Sequence, residues 1–214
     1  MPKNSLKACL VLLSLAAGGP ALSAPAATPT VNTQLDPAAK QICGFYDALL
    51  DTMKHAKELG VTGRYKKLGP AIDAVFDFAT MTKLTIGPDW TNMSDADRKM
   101  LTDAFRRMTI ADYAHNFDGY DGETFAVTPT VQERAGDKIV NSQMTVTGKD
   151  PIPFLYRMTQ MNGSWKIIDI YLNGYVSEVA TRRADFASTL KSGGAPLLVQ
   201  KLNALTDTTL KQAP

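Results

Sequence analysis

An α+β fold is predicted by the order in which the hydrophobic period changes along the chain. Apolar residues recur at three- and four-residue steps from 37 to 117, alternate in short runs from 125 to 172, and return to the helical step from 176 to 205. The first pattern buries one side of a helix and the second one face of a strand. Helices, then consecutive strands, then helices give a helical N-terminal half, a four-stranded antiparallel meander and C-terminal helices packed on it.

The first 24 residues stand apart. Lys3 and Lys7 precede an apolar run from Ala8 to Ala17, and Gly18, Gly19 and Pro20 break it before it is long enough to span a membrane. This is the pattern of a cleavable secretory signal, with small residues placed for cleavage after Ser23 or Ala26. Cys9 lies at the start of the run rather than just after it, which argues against a lipid-anchored product. Residues 25–36, PAATPTVNTQLD, have no apolar period and read as a flexible leader. Residues 37–210 have the length of one domain.

Removing Lys3 and Lys7 takes the basic residues from 23 to 21, matching the 21 acidic ones. A nucleic-acid binder needs a basic stripe and a strong binder of anionic membranes a basic cluster; RYKK at 64–67 is the one local excess. Cys43 is left as the single cysteine of the processed chain, so no internal disulfide supports the fold, and it reads as a small helix-face residue.

From Pro37 the stripe Ile42, Phe45, Tyr46, Leu49, Leu50 and Met53 defines an amphipathic helix, with Gly60 and Gly63 as its stop. Pro70 suits a first helical position and is expected to open a short helix to about Phe78. Ser94 is an N-cap with Asp95 and Asp97 in the first turn, where negative charge favours the helix dipole. Leu101, Ala104, Phe105, Met108 and Tyr113 carry that helix to about Phe117.

At DGYDGE, 118–123, the period changes. Phe125, Val127 and Val131 begin one strand, 138–147 and 152–161 form two more, and Asn162-Gly163 is a two-residue hairpin turn into Ser164–Leu172. In this last strand Ile168, Ile170 and Leu172 alternate with Ile167 and Tyr171, so both faces are apolar. The strand is expected to be covered on both sides or to line an internal cavity. After Gly174 the helical step returns through Val176, Val179, Ala180, Phe186 and Leu190; Gly193-Gly194 stops it, and Pro196 opens a last helix through Leu197, Leu198, Leu202 and Leu205.

The usual catalytic constellations are missing. There is no HExxH, no GxSxG and no phosphate-cradling glycine loop, and His55 and His115, the only histidines, read as surface or structural. Asp118, Asp121 and Glu123 lack the ligand spacing of a calcium loop and read as a solvated connection. Asp77 or Asp169 is expected to pair with Arg183 and fix helix to sheet, leaving Arg182 on the surface. A small pocketed α+β enzyme of the cone-shaped NTF2-like type, such as an isomerase, would need an acid paired with a tyrosine; a non-catalytic interaction module would need neither.

Residues 165–186, WKIIDIYLNGYVSEVATRRADF, resemble the C-terminal signature of the MlaC-like, or toluene-tolerance, family of periplasmic lipid carriers, auxiliary components of ABC transporters. That signature has an acidic residue and a Gly at a strand end, a Ser at the helix start, and an Arg and a Phe three residues apart. Here these are Asp169, Gly174, Ser177, Arg183 and Phe186. Residues 75–114 resemble the family's helical half through Phe76, Asp77, Gly87, Trp90, Phe105 and Tyr113. Arg182 stands where the phospholipid-shuttle branch more often has an aromatic, so the helix resembles the hopanoid-associated, HpnM-like branch.

The resemblance implies a periplasmic carrier that is not an enzyme and needs no cofactor or metal. It would hold a hopanoid or phospholipid in an apolar cavity between sheet and helices, and exchange it with membrane-bound transporter components through transient membrane contact. Candidate lining residues on the helices are Ile72, Val75, Phe76, Phe105 and Met108. On the strands they are Val140, Met144, Phe154, Met158, Ile168, Ile170 and Leu172. Arg183 has two candidate roles, structural or lipid head-group contact, of which the structural one is favoured.

Overall fold

The computed structural model describes residues 35–211; the predicted signal, residues 1–24, and the leader as far as residue 34 lie outside the described residues. Among the described residues, five α-helices and one antiparallel sheet succeed one another in the order helices, strands, helix, so the α+β fold is as expected.

Helix α1 (Pro37–Lys54) starts at the proline, and Asp36 caps it by accepting the Ala38 amide at 2.8 Å. The same carboxylate receives Lys138 Nζ at 2.6 Å, tying the helix start to the sheet. α2 (Ala56–Val75) departs from expectation. The first helix ends at Lys54 rather than at the glycines, Gly60 bends α2 with φ of 57°, and Pro70 lies inside it instead of opening a new helix. Gly69 explains the tolerance: a proline crowds the Cβ of the residue before it, and glycine has none. Chain direction changes instead at Phe76, which is extended, and Asp77 caps α3 (Phe78–Ile86) by accepting the Thr80 amide at 3.0 Å. A 3-10 turn, Gly87–Asn92, leads to α4 (Asp95–Asn116), capped by Ser94 as its sequence predicts.

The sheet contains β1 (Thr124–Val127), β2 (Gln132–Arg134), β3 (Asp137–Thr145), β4 (Ile152–Met161), β5 (Ser164–Leu172) and β6 (Val176–Ser177). Their order is β1-β3-β4-β5-β6, with β2 also on β3. The expected meander is therefore present, but its first strand is split in two. Pairing to β3 runs as far as the Thr128 amide, which donates to Asn141, and fails at Pro129, which has no amide proton. β6 is a two-residue addition that places Val176 in a strand rather than in the helix after it. Asn162 and Gly163 both adopt positive φ, as a tight hairpin turn requires.

Helix α5 (Glu178–Thr209) begins at Ser177, whose hydroxyl accepts the Ala180 amide, and loses helical geometry at Gly193 and Gly194 before Pro196. α1 lies on the inner face of the sheet, and α4 packs against α2, α3 and α5 behind it. The β4–β5 register passes from Arg157 opposite Asp169 to Met158 opposite Ile167, skipping Ile168. This bulge leaves four successive residues, Ile167 to Ile170, buried, so both apolar faces of β5 are covered.

Candidate functional site

An aromatic wall assembles first. Phe45 on α1 meets Phe76 and Tyr113 edge-on at 5.8 and 5.6 Å, Phe76 stacks on Phe78 at 5.5 Å, and Phe105 bridges Phe78 to Phe186 of α5. Such pairs add about 0.5–1.5 kcal/mol each beyond the area they bury, which holds four separate chain segments in one rigid surface. Opposite this wall stand Phe154 and Tyr156 of β4 with Ile170 and Leu172 of β5, directly paired across the strands and hence on one face.

Between them lies a cavity of about 310 Å³. Its deep part is bounded by the buried side chains of Tyr46, Leu49, Phe76, Met81, Phe105 and Tyr156. Toward solvent its rim carries Thr109, Asp112 and Asn116 of α4, Phe117 just after that helix, and Glu178 and Arg182 of α5, whose Val179 also lines the cavity but is buried. The volume falls at the lower end of the roughly 300–1,000 Å³ of small-molecule sites.

The rim is charged. Arg182 Nη2 donates to Asp112 Oδ2 at 2.8 Å, and Arg182 Nε stands 3.6 Å from Glu178 Oε2. This joins α4 to α5 across the mouth. Burial raises the carboxyls of both Asp112 and Glu178, with Arg182 opposing the rise in each. Deep in the cavity, Tyr46 donates to the Tyr156 hydroxyl at 2.9 Å and lies 2.7 Å from Ser142 Oγ. Among the described residues the lining includes no histidine, cysteine, lysine or serine, so the arrangement offers an apolar interior with a polar rim, with the Tyr46 and Tyr156 hydroxyls engaged inside and the carboxyls facing Arg182.

Burial pushes the Tyr46 phenol up to about 12 and likewise raises Tyr113 and Tyr156. A raised phenol keeps its proton in the folded state where the unfolded chain has lost it. The stabilisation these groups give is therefore complete below about pH 10, the unfolded value, and falls as pH rises from there toward about 12 for Tyr46. A tyrosinate absorbance titration should show these three tyrosines still protonated near pH 10, and unfolding by urea at that pH should release an absorbance step.

The candidate lining residues divide. Phe76, Phe105, Phe154, Ile170 and Leu172 are on the cavity wall. Ile72, Val75, Met108, Val140 and Met158 are buried among the helices and sheet away from it, Ile168 is the residue skipped by the bulge, and Met144 is half-buried near the end of β3. Apolar period identifies a buried face; it does not tell a face against protein from a face against a void.

Arg183 forms neither expected ion pair. Its Nε donates to the Leu84 carbonyl at 3.0 Å and its Nη2 reaches the same oxygen, so it caps the end of α3 and clamps α5 to it. Gly87 ends α3 at φ of 73°, a left-handed conformation that favours glycine, and Arg183 lies alongside it. Asp169 instead caps α5, and Asp77 caps α3 with Oδ1 while its buried Oδ2 has no partner among the described residues. Arg182, expected on the surface, is the arginine at the cavity. Nothing in its local sequence distinguishes it, because Asp112 is 70 residues away. Tyr46 and Leu49 share the stripe read on α1, so the period marks them as buried but not as lining. In the loop 118–123, the Asp121 amide donates to Glu123.

A meander sheet covered by helices, with an apolar chamber between them and a charged mouth, defines an α+β protein of the ligand-chamber class. Residues 44–204 match the family model described as MlaC protein, and the chain belongs to that family. It is similar in fold to the phospholipid-binding protein from Ralstonia solanacearum, whose structure was solved in complex with a phospholipid. The TM-score is 0.71 at 24% identity, covering 82% of this chain and 100% of that one. Among curated proteins none matches the chain.

Proposed function

We propose that the protein is a periplasmic lipid carrier, a single domain over 37–210 exported by a cleaved signal, which holds the chains of a phospholipid or hopanoid in its cavity. It passes this lipid between membranes or membrane-bound transporter components and catalyses no reaction. The observation that carries the reading is the chamber itself: about 310 Å³, apolar within and charged only at its rim, in a chain of the MlaC family. The fold neighbour solved with a phospholipid supports it.

The physical problem such a carrier meets is large. Each methylene moved from a membrane into water costs about 0.8 kcal/mol, so a lipid with about thirty aliphatic carbons faces more than about 20 kcal/mol. An apolar chamber lowers that cost for each methylene it encloses, without any covalent step. A hopanoid, with a rigid ring system, and a phospholipid, with flexible chains, remain the two ligands to distinguish.

The test is extraction of the purified protein with organic solvent and identification of the released lipid by mass spectrometry. Thr109→Trp, which projects bulk into the chamber from α4, should exclude at least two methylenes and lower bound lipid by about tenfold. Thr109→Ala should retain it. A wild-type protein that carries no lipid after incubation with membranes overturns the reading, and so does turnover of a substrate dependent on a rim carboxyl.

A further inference from the structure

The charged mouth is built to do more than close the chamber. A guanidinium has five N–H donors, yet Arg182 spends only Nη2 on a hydrogen bond, to Asp112; Nε stands off Glu178 at 3.6 Å, and Nη1 has no partner among the described residues. Its side chain is about a quarter exposed, so it is neither sequestered nor free to wander. It stands at the boundary between the apolar interior and solvent, where the polar end of a lipid would come to rest.

On the lipid-carrier reading, we infer that Arg182 is the head-group recognition residue of the chamber, donating N–H bonds to a phosphodiester while the chains fill the interior. Planar guanidinium donors match phosphate oxygens bidentately, and a partly desolvated site strengthens the pair. A neutral lipid of the same chain length, which presents no anion, gains nothing comparable. Asp112 and Glu178 pre-orient the guanidinium without saturating it.

The two carboxylates also couple binding to protons. An arriving phosphate competes for their cation and adds a like charge, so both carboxyls bind protons more readily in the complex. The other charged groups acting here are His115 on Asp112, and Asp169 and Asp185 on Glu178. Proton uptake on binding means that affinity for a phosphodiester lipid rises as pH falls, with a much smaller slope for a neutral lipid.

The experiment uses the processed chain stripped of lipid and loaded from mixed micelles with phosphatidylglycerol or with diacylglycerol of identical acyl chains, read by native mass spectrometry. The wild type should prefer phosphatidylglycerol; Arg182→Gln should lower the preference ratio by about tenfold or more, and Arg182→Lys should recover part of it. Arg182→Gln with Asp112→Asn and Glu178→Gln, which leaves neither carboxylate without its cation, should behave as Arg182→Gln and serves if the single variant folds poorly. The wild-type preference should increase from about pH 7 to about pH 5, and Glu178→Gln should flatten that rise. Equal loading of both lipids by the wild type, or an unchanged ratio in the folded variants, overturns the assignment of Arg182 while leaving the carrier reading standing. Failure of both lipids and of a hopanoid to load overturns the carrier reading itself.

Discussion

Replacing Arg64 by alanine should lower stability by about 3–5 kcal/mol and the melting temperature by about 10 °C, measured by thermal unfolding. Arg64 comes from the one locally basic stretch, yet its side chain is among the most completely buried, with 1% of the residue exposed. Its Nε donates to the Ala114 carbonyl at 2.7 Å and its Nη1 to the Ala56 carbonyl at 2.8 Å. Ala114 is in the last turn of α4, where carbonyls have no partner within the helix, so the guanidinium supplies a donor that the helix lacks. Alanine would remove two charge-assisted hydrogen bonds and leave a void where the side chain was. Arg64→Met separates the two effects: it refills most of the void while leaving both carbonyls unserved, and should recover less than half of the loss. Arg64→Lys should also fall short, because one ammonium cannot reproduce a fork aimed at two helices. Recovery of wild-type stability by methionine would show that packing, and not the hydrogen bonds, is what Arg64 contributes.

The same residue shows where sequence reasoning stops. In RYKK a charge reads as surface, since burying a guanidinium is costly unless its donors are met, and the carbonyls that meet them belong to residues 8 and 50 positions away. Caps and tight turns were legible because cause and effect are neighbours there. Ser94 caps α4 three residues ahead of the amide it accepts, and Asn162-Gly163 turns the hairpin it sits in. Pro70 misleads because its usual meaning is overridden by Gly69 beside it and by the packing of α2 on α4. The chamber was legible as an apolar sheet face and an apolar helix stripe, and five of the twelve candidate residues stand on its wall. Its rim was not, because Asp112, Glu178 and Arg182 each look like ordinary solvated helix charges until α4 and α5 are brought together. The family signature picked out Asp169, Ser177 and Arg183; the first two meet, whereas Arg183 goes to the Leu84 carbonyl instead of the expected Asp77 or Asp169. Asp169 and Arg183 do not meet: one holds the start of α5 to the sheet, and the other holds its second turn to α3.

Replacing Asp169 by alanine should cost about 2–4 kcal/mol and loosen the chamber's cover as well as the fold. Asp169 is buried on β5, with 5% of the residue exposed. Its Oδ1 accepts the Ile170 amide at 2.8 Å and the Val179 amide at 3.1 Å, and its Oδ2 accepts the Ser177 hydroxyl at 2.7 Å. Ser177 in turn accepts the Ala180 amide at 3.0 Å. Two of the amide donors that the first turn of α5 cannot satisfy internally are thus served by this pair, and the carboxylate charge lies at the positive end of the helix dipole. Glu178, Val179 and Arg182 sit in or next to that turn and form one side of the cavity mouth. Without Asp169 the turn should fray, and hydrogen exchange at Val179 and Ala180 should accelerate ahead of global unfolding. Bound lipid should then be retained less well, even at temperatures where the protein stays folded. Asp169→Asn keeps the shape and one acceptor oxygen but not the charge, and should fall between alanine and wild type. Ser177→Ala should produce the smaller loss of about 1 kcal/mol, since the Val179 amide keeps its carboxylate. Unchanged exchange at Val179 in a folded Asp169→Ala protein would mean that α5 is held at the mouth by its contacts with α4, chiefly the Arg182–Asp112 pair, rather than by the strand beneath it.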